Sequence, residues 1–137
     1  MLLKLDVPLA LTALSVFLMT SCPVLGFRRR PVYIIAHMVN SISELNQAMA
    51  EGANSVESDV TFDQNGTAMK LFHGVPCDCF RKCTKQEQVA PFLQYIRWST
   101  HTNRGKYKEK LLLLFLDRKV QNVDDKKKYW AGVDIAV

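Results

Sequence analysis

The chain has 137 residues and a formal net charge of +5 at pH 7. This length allows one modest hydrophobic core and excludes a complete α/β barrel, which takes roughly 250 residues. The basic clusters lack the interleaved aromatic residues of a nucleic-acid surface, so we expect no nucleic-acid partner, whereas a membrane surface suits such clusters.

The first 26 residues have the parts of a secretory signal peptide. Lys4 gives a basic start, residues 7–19 form the apolar segment, and a short stretch of small residues follows as the cleavage region. The apolar segment is shorter than the roughly 20 residues that span a bilayer and contains Pro8, which argues against a membrane anchor. We therefore expect a signal peptide at 1–26 and a secreted, extracellular mature chain at 27–137 without a transmembrane anchor.

The first predicted elements of the mature chain are a strand and a helix. Residues 31–37, PVYIIAH, form a β-branched and aromatic run that ends in His37. Residues 40–53 have apolar side chains at helical spacing, and a glycine near their end is a stop signal. Either Ser41 or Ser43 can cap the start of this helix.

The next predicted elements are a hairpin, a second helix and a third core strand. Residues 54–62 form the first strand of the hairpin, residues 63–66 (DQNG) its turn, and residues 67–74 its return strand. A loop with cysteines leads to a helix at 85–100. The continuous apolar run 111–117 predicts a strand that is buried on both faces of a parallel sheet.

The alternation of strands and helices predicts an α/β fold with a parallel βα architecture. Residues 122–137 add the start of a further helix. The three core strands end in ionisable residues, at the edge where βα barrels place their chemistry. These residues are His37, the pair Glu57 and Asp59, and Asp117.

The acidic residues predict a metal site. Glu57 and Asp59 are two positions apart in a strand, so their carboxylates lie on the same face and repel each other unless a positive charge lies between them. Together with Asp117 they offer hard oxygen ligands, which suit Mg²⁺. The alternative is a set of ordinary strand-end acids that cap helices or pair with lysines.

Two histidines accompany the acids along the chain. His37 ends the first strand and His73 follows the hairpin. Because imidazole titrates near neutral pH, one ring can act as nucleophile or base and the other as acid on a leaving group. A structural role is the alternative for each histidine.

The hairpin and the loop after it carry candidate covalent features. Cys77 and Cys83 can close a small rigid loop beside the site, which leaves Cys79 without a partner. Alternatively, His73 and the three thiols can bind zinc, although secretion and the C-x-C spacing disfavour it. Asn65 begins an Asn-Gly-Thr sequon at the hairpin tip and is a candidate glycosylation site.

Three motifs, in order, resemble the arthropod sphingomyelinase D family, which comprises the dermonecrotic phospholipases D of spider venoms and their tick and mite relatives. They are AHMVN at 36–40, E-x-D at 57–59 and HGVPCDC at 73–79, and the stretch 106–119, KYKEKLLLLFLDRK, is similar to the third barrel strand of that family. The resemblance implies a barrel like that of the glycerophosphodiester phosphodiesterases. This chain would hold the N-terminal part of such a (β/α)8 TIM-type barrel, incomplete at this length.

The resemblance also implies roles for individual residues. His37 matches the family's nucleophile or general base, and His73 matches the acid that protonates the choline leaving group. Cys77 and Cys83 match a loop disulfide, and Cys79 matches a cysteine that pairs with a much later one in some members. The remaining matches are the Mg²⁺ ligands Glu57, Asp59 and Asp117, and Lys119, which helps to hold the substrate phosphate.

The function implied by the resemblance is that of a secreted, Mg²⁺-dependent phosphodiesterase or lyase, monomeric when full length. It would release choline from sphingomyelin or lysophospholipid at a membrane surface and leave a ceramide phosphate or a lysophosphatidate, in cyclic or hydrolysed form. The alternative is a truncated, catalytically inactive secreted protein that binds lipid or a host protein.

Overall fold

The computed structural model describes residues 30–77, 83–101 and 103–136. The expected signal peptide and Cys79 lie outside these residues. Within them, no helix combines the length and apolar character needed to cross a lipid bilayer.

The described residues form five strands, two α-helices and two short 3₁₀ helices, which confirms the predicted α/β class. In chain order the elements are β1 (Ile35–Ala36), α1 (Ile42–Ala50), β2 (Ser55–Phe62), β3 (Ala68–Leu71), β4 (Glu87–Gln88), α2 (Val89–His101), β5 (Leu113–Lys119), and the 3₁₀ helices Lys128–Trp130 and Val133–Ile135.

The sheet is built around β2. β5 runs parallel to β2 along its length, from Ser55 opposite Leu113 to Thr61 opposite Lys119. On the other side of β2, β1 is parallel and pairs with its first residues, while β3 is antiparallel and pairs with its last residues. β4 then pairs with β3. Since β1, β2 and β5 are parallel, their carboxyl ends meet at the same edge of the sheet.

The hydrophobic core lies on one face of β2. Val56 and Val60 both point to that face, and they are fully buried together with Leu45 of α1 and Phe92 of α2. Burial of each such side chain stabilises the fold by about 1.5–3 kcal/mol. Because strand side chains alternate between faces, this register turns the odd-numbered residues of β2 away from the core. The acidic residues of β2 are among them.

Helix α1 begins with a variant of the capping box, in which the glutamate accepts the backbone N–H of the residue before the cap. Ser41, in extended backbone conformation, accepts a hydrogen bond on Oγ from the Glu44 backbone N–H at 3.2 Å, and Glu44 Oε2 accepts the Asn40 backbone N–H at 2.9 Å. The prediction of a serine cap is therefore confirmed at Ser41. The helix ends just before Gly52, whose φ of 99° few other residues adopt.

The turn between β2 and β3 is organised by Asp63. One carboxylate oxygen, Oδ1, accepts the backbone N–H groups of Asn65 and Thr67 at 2.8 and 2.9 Å. These bonds, led by the Thr67 N–H, hold the pKa of the Asp63 carboxyl below its ordinary value. The hairpin predicted from the DQNG sequence is confirmed, with a return strand that ends at Leu71.

The C-terminal segment corrects one prediction. Residues 122–137 were expected to begin an α-helix, whereas the described part of this segment forms turns and the two 3₁₀ helices. The segment packs on the hairpin tip instead: the N–H of Asp124 donates to the Gln64 carbonyl, and the N–H of Gly132 donates to the Gly66 carbonyl. Gly132 has a φ of 85°, which interrupts a right-handed helix.

The strands are shorter or more exposed than predicted. β1 covers two residues of the predicted 31–37, since it pairs with β2 only at Ser55 and Val56. β5 was expected to be buried on both faces, but Phe115 is 44% exposed because nothing in the described part of the chain covers that face. The mixed sheet does not by itself establish a partial (β/α)8 barrel, which stays a prediction.

Candidate metal centre

The pairing of β2 with β5 brings three carboxylates together. Asp59 on β2 lies directly opposite Asp117 on β5, and Glu57 lies on the same face of β2 as Asp59. One oxygen from each carboxylate lies within 4.8 Å of the other two. The acids that were singled out in the sequence therefore form one group, which we call the carboxylate cluster; their role as metal ligands stays a prediction.

Asp59 is the buried member of the cluster, with only 1% of its surface exposed. Its Oδ2 accepts a hydrogen bond from Asn40 Nδ2 at 2.8 Å. Its Oδ1 lies 2.9 Å from Lys119 Nζ but accepts no hydrogen bond of favourable angle within the described residues, so we treat that contact as an ion pair. A buried carboxylate oxygen in this state is costly unless a cation compensates its charge.

Lys119 provides positive charge inside the cluster. Its ammonium lies 2.6 Å from Asp117 Oδ2 and 2.9 Å from Asp59 Oδ1. The hydrogen bond to Asp117, followed by the attraction of Asp59, raises the pKa of Lys119, so the side chain is charged at neutral pH. One ammonium against three carboxylates leaves two negative charges, which is the charge that a divalent cation neutralises.

Glu57 is held by the loop that follows β1. Its Oε2 accepts the backbone N–H of Met38 at 2.8 Å and lies 3.4 Å from Nε2 of His37. Met38 has a φ of 60°, a left-handed conformation that is uncommon outside glycine. His37 is 59% exposed and borders an open cavity of about 390 Å³. One ring of the predicted histidine pair is thus beside the cluster and open to solvent.

The second histidine has a different environment. His73 is half-buried, and its Nδ1 lies 3.1 Å from the Gly74 carbonyl oxygen. Its neighbour Phe72 donates a backbone hydrogen bond to the Asp59 carbonyl at 2.9 Å, which brings this stretch of chain to the edge of the cluster. Among the described contacts, none joins His73 to a carboxylate of the cluster.

The structure decides between the two interpretations of the cysteines, a loop disulfide and a zinc site. Cys77 and Cys83 form a disulfide, as the loop-closing interpretation predicted. Their sulfur atoms are therefore unavailable as thiolate ligands, and the zinc interpretation, which needed them, is wrong. The role of Cys79 lies outside the described residues.

Asn65 lies at the exposed tip of the hairpin, where the sequon was predicted. Its Oδ1 accepts a hydrogen bond from Lys127 Nζ at 2.6 Å. The side-chain amide nitrogen, which would carry a glycan, is not part of that contact. Glycosylation at Asn65 stays a prediction.

The chemistry of the cluster fits a hard divalent cation. All three candidate ligands are carboxylates, one of them buried with an oxygen that lacks a hydrogen bond, and their oxygens are close enough to share one ion. Such ligands favour Mg²⁺, Ca²⁺ or Mn²⁺ over zinc or copper. The residues present therefore fit a magnesium ion without distinguishing it from the other hard cations.

Sequence reasoning missed Asn40 and Met38 as parts of the site. Both lie in the loop between β1 and α1. Asn40 is next to the helix cap, where a polar residue has an ordinary explanation. Their contacts with Glu57 and Asp59 bridge 19 positions of sequence. No local pattern reports such a contact; the nearest signals were the AHMVN motif of the family resemblance, which contains both residues, and the position of Asn40 directly before the cap.

The sequence of this chain is similar to those of several known proteins. A family model described as Dermonecrotic toxin SPH matches residues 27–137. Dermonecrotic toxin SPH of Ixodes scapularis is 52% identical over 108 residues, which cover 79% of this chain and 30% of that protein. Dermonecrotic toxin StSicTox-betaIB1i of Sicarius terrosus is 45% identical over 111 residues, which cover 81% of this chain and 40% of that protein.

A Loxosceles intermedia protein, Dermonecrotic toxin LiSicTox-betaIA1i, is 43% identical over 108 residues, covering 79% of this chain and 36% of its own length. The chain therefore spans between 30% and 40% of the curated relatives it matches. The matched region contains the whole carboxylate cluster.

Proposed function

Because residues 27–137 match its family model, the chain belongs to the Dermonecrotic toxin SPH family, and we propose that it carries the metal centre of a secreted, Mg²⁺-dependent phosphodiesterase of the sphingomyelinase D type. The substrate is sphingomyelin or a lysophospholipid at a membrane surface, and choline is the leaving group. The observation that carries the proposal is the carboxylate cluster, with Lys119 inside it and His37 at its edge.

Glu57, Asp59 and Asp117 would hold the ion. When bound, Mg²⁺ supplies Lewis-acid stabilisation of the charge that develops on the substrate phosphate. Lys119, kept protonated by Asp117 and Asp59, donates a hydrogen bond to the same phosphate once the substrate displaces one of its contacts. With the ion bound, it and the Lys119 ammonium would together neutralise charge on the phosphate.

The histidines move the protons in this proposal. His37 accepts the proton of the attacking lipid hydroxyl, whose oxygen forms the new bond to phosphorus. The bond between phosphorus and the choline oxygen breaks, and His73 protonates the departing choline. The product is a cyclic ceramide phosphate or cyclic lysophosphatidate; the hydrolysed form results if water attacks in place of the lipid hydroxyl.

The wider organisation is part of the same proposal. We infer that residues 1–26 are a secretory signal and that 27–137 are the N-terminal part of a (β/α)8 barrel, monomeric in its full-length form. The names of the relatives, which call them dermonecrotic toxins, support secretion. The parallel strands β1, β2 and β5 support the barrel assignment, because they follow one another in the order of a barrel's first strands.

A choline-release assay tests the proposed activity. The purified chain is incubated with sphingomyelin vesicles and, separately, with lysophosphatidylcholine, first with Mg²⁺ and then with EDTA. We expect choline release with Mg²⁺, its loss with EDTA, and its return when Mg²⁺ is restored. Release that EDTA does not affect would contradict the metal-dependent mechanism.

A second candidate function is favoured by the exposed apolar face of β5, where Leu113 and Phe115 are 37% and 44% exposed. It is a catalytically inactive secreted protein that binds lipid or a host protein through this face. Co-sedimentation with sphingomyelin vesicles without any choline release would support this candidate over the enzyme.

A further inference from the structure

Asn40 makes two hydrogen bonds with Asp59, the buried carboxylate of the cluster. Its Oδ1 accepts the Asp59 backbone N–H at 2.8 Å, and its Nδ2 donates to Asp59 Oδ2 at 2.8 Å. Asn40 is itself only 4% exposed. One amide side chain thus holds both the backbone and the carboxylate of the same residue, across the gap between the β1–α1 loop and β2.

Asn40 is in turn held by the first turn of α1. Its backbone N–H donates to Glu44 Oε2 at 2.9 Å, and that carboxylate also lies 3.2 Å from Ser41 Oγ. The capping box therefore fixes the backbone from which the Asn40 side chain extends. The hydrogen-bonded chain runs from the helix start through Asn40 to Asp59.

The same loop holds the neighbouring acid. The backbone N–H of Met38 donates to Glu57 Oε2 at 2.8 Å, and the N–H of Val39 donates to the Glu57 carbonyl at 2.8 Å. The left-handed backbone of Met38 costs on the order of 1 kcal/mol or more and persists only where surrounding contacts require it. Two residues of one loop thus orient two carboxylates of the cluster.

We propose that Asn40 is a positioning residue of the metal centre. The bond from Asn40 Nδ2 holds the Asp59 carboxylate through Oδ2, and the bond to Asn40 Oδ1 holds the backbone N–H of the same residue. Oδ1 of Asp59, which lies 2.9 Å from Lys119 Nζ and accepts no hydrogen bond within the described residues, would be the oxygen offered to a divalent cation. The inference rests on the proposed function, because it takes the carboxylate cluster to be a cation site. Partners that orient metal ligands in this way typically contribute 10- to 100-fold to metal affinity.

Asn54 offers a matched control. It also joins two segments with both atoms of its amide: the Ile34 N–H donates to its Oδ1 at 2.8 Å, and its Nδ2 donates to the Val32 carbonyl at 2.8 Å. These bonds tie the segment before β1 to the residue before β2 without involving a carboxylate. A purely structural role for Asn40 predicts that Asn40→Ala and Asn54→Ala behave alike.

The experiment measures the affinity for Mn²⁺ by calorimetry at neutral pH, using the full chain at a temperature where each variant is folded. We expect Asn40→Ala to weaken Mn²⁺ binding at least about tenfold, and Asn54→Ala to leave the dissociation constant within about twofold of the unchanged chain. If Asn40→Ala does not fold, Asn40→Ser is used instead. The serine side chain retains an oxygen but is too short to reach both the backbone N–H and the carboxylate of Asp59.

Hydrogen exchange of the Asp59 backbone amide gives a second readout that needs no metal. We expect faster exchange in Asn40→Ala and unchanged exchange in Asn54→Ala, because the Asp59 N–H donates to the side chain of Asn40 and not to that of Asn54. Equal Mn²⁺ affinity in Asn40→Ala and the unchanged chain would overturn the role of Asn40 alone. Failure of the unchanged chain to bind Mn²⁺ would overturn the proposed metal centre and this inference with it.

Discussion

At the scale of single residues, the site buries a charged carboxylate, which is unfavourable unless other groups compensate its charge. Asp59 is buried beside two other carboxylates, and the fold compensates with Lys119 and with hydrogen bonds from Asn40. Buried charge without such partners is strongly destabilising. A concentration of negative charge that is only partly neutralised is characteristic of functional sites.

Lys119→Met should destabilise the chain in the absence of metal by about 3 kcal/mol or more, because a buried carboxylate loses its ionic partner. Unfolding in urea with EDTA measures this loss. Adding Mg²⁺ should recover part of the stability, since a bound cation replaces the missing positive charge. Lys128→Met, which removes a surface ion pair with Asp125, is the control and should leave the stability nearly unchanged.

A Lys119→Met variant as stable as the unchanged chain in EDTA would show that the ammonium does not compensate the cluster. The control separates this result from a general effect of removing lysine charge.

The histidines should carry the proton transfers of the proposed reaction. His37→Ala and His73→Ala are each expected to lower choline release by about 10²- to 10⁴-fold, without changing the unfolding temperature. His101→Ala, at the exposed end of α2, is the control and should retain activity. Near-normal turnover in either variant would remove that histidine from the acid–base assignment.

The sequence predicted the residues of the cluster better than the contacts that hold them. Period-two spacing placed Glu57 and Asp59 on one face, and the abrupt end of an apolar run identified Asp117. The contacts of Asn40 and Met38 depend on how the β1–α1 loop folds over β2, which no local spacing encodes. The family resemblance identified Lys119 as a residue that helps to hold the substrate phosphate, but its position between Asp59 and Asp117 was not predicted.

At the scale of elements, turns and caps were predictable because their chemistry is local. The serine cap of α1 and the DQNG turn were both found where the residues indicated. The predicted C-terminal helix was not found, because residues 124–132 make hydrogen bonds with the hairpin tip in place of some helical hydrogen bonds. Tertiary contacts of this kind override weak local helix preference.

Asp63→Asn should flatten the acid dependence of stability. The pKa of Asp63 is lower in the folded chain than its ordinary value of 3.8. Its contribution is therefore fully present above the unfolded-state pKa and is lost as pH falls through the folded-state pKa. Asparagine can still accept the two turn hydrogen bonds but does not titrate.

Thermal unfolding between about pH 5 and pH 2 measures this effect, because the window covers both the unfolded-state and the lowered folded-state pKa. The unfolding temperature of the unchanged chain should fall more steeply than that of Asp63→Asn. Asp63→Ala, which loses charge and hydrogen bonds together, should be less stable at every pH. Parallel curves for the unchanged chain and Asp63→Asn would contradict the role assigned to the Asp63 carboxylate.

At the scale of the whole molecule, the described sheet exposes apolar side chains beyond its core. Leu113 and Phe115 on β5, and Val32 to Ile35 around β1, are all substantially exposed. Exposed apolar faces and unpaired strand edges promote association. The α/β class followed from the alternation of elements, whereas the arrangement beyond these strands depends on pairings that the described residues do not contain.

Phe115→Lys should reduce self-association of the purified chain, because it places a charge on the exposed face of β5. Light scattering at increasing protein concentration measures association, and the unfolding temperature should change by only a few degrees. Val75→Lys is the control, since Val75 is 94% exposed but lies in a loop. Equal self-association of Phe115→Lys and the unchanged chain would show that the exposed face of β5 does not cause the association.

The most direct test of the account is a calorimetric titration of Mg²⁺ into the unchanged chain and into Asp59→Asn, with Asp125→Asn as a control at an exposed acid. We predict one Mg²⁺ bound per chain, binding that is lost in Asp59→Asn, and unchanged binding in Asp125→Asn. Undetectable Mg²⁺ binding by the unchanged chain, or equal binding by Asp59→Asn, would contradict the claim that the three carboxylates form a divalent-cation site.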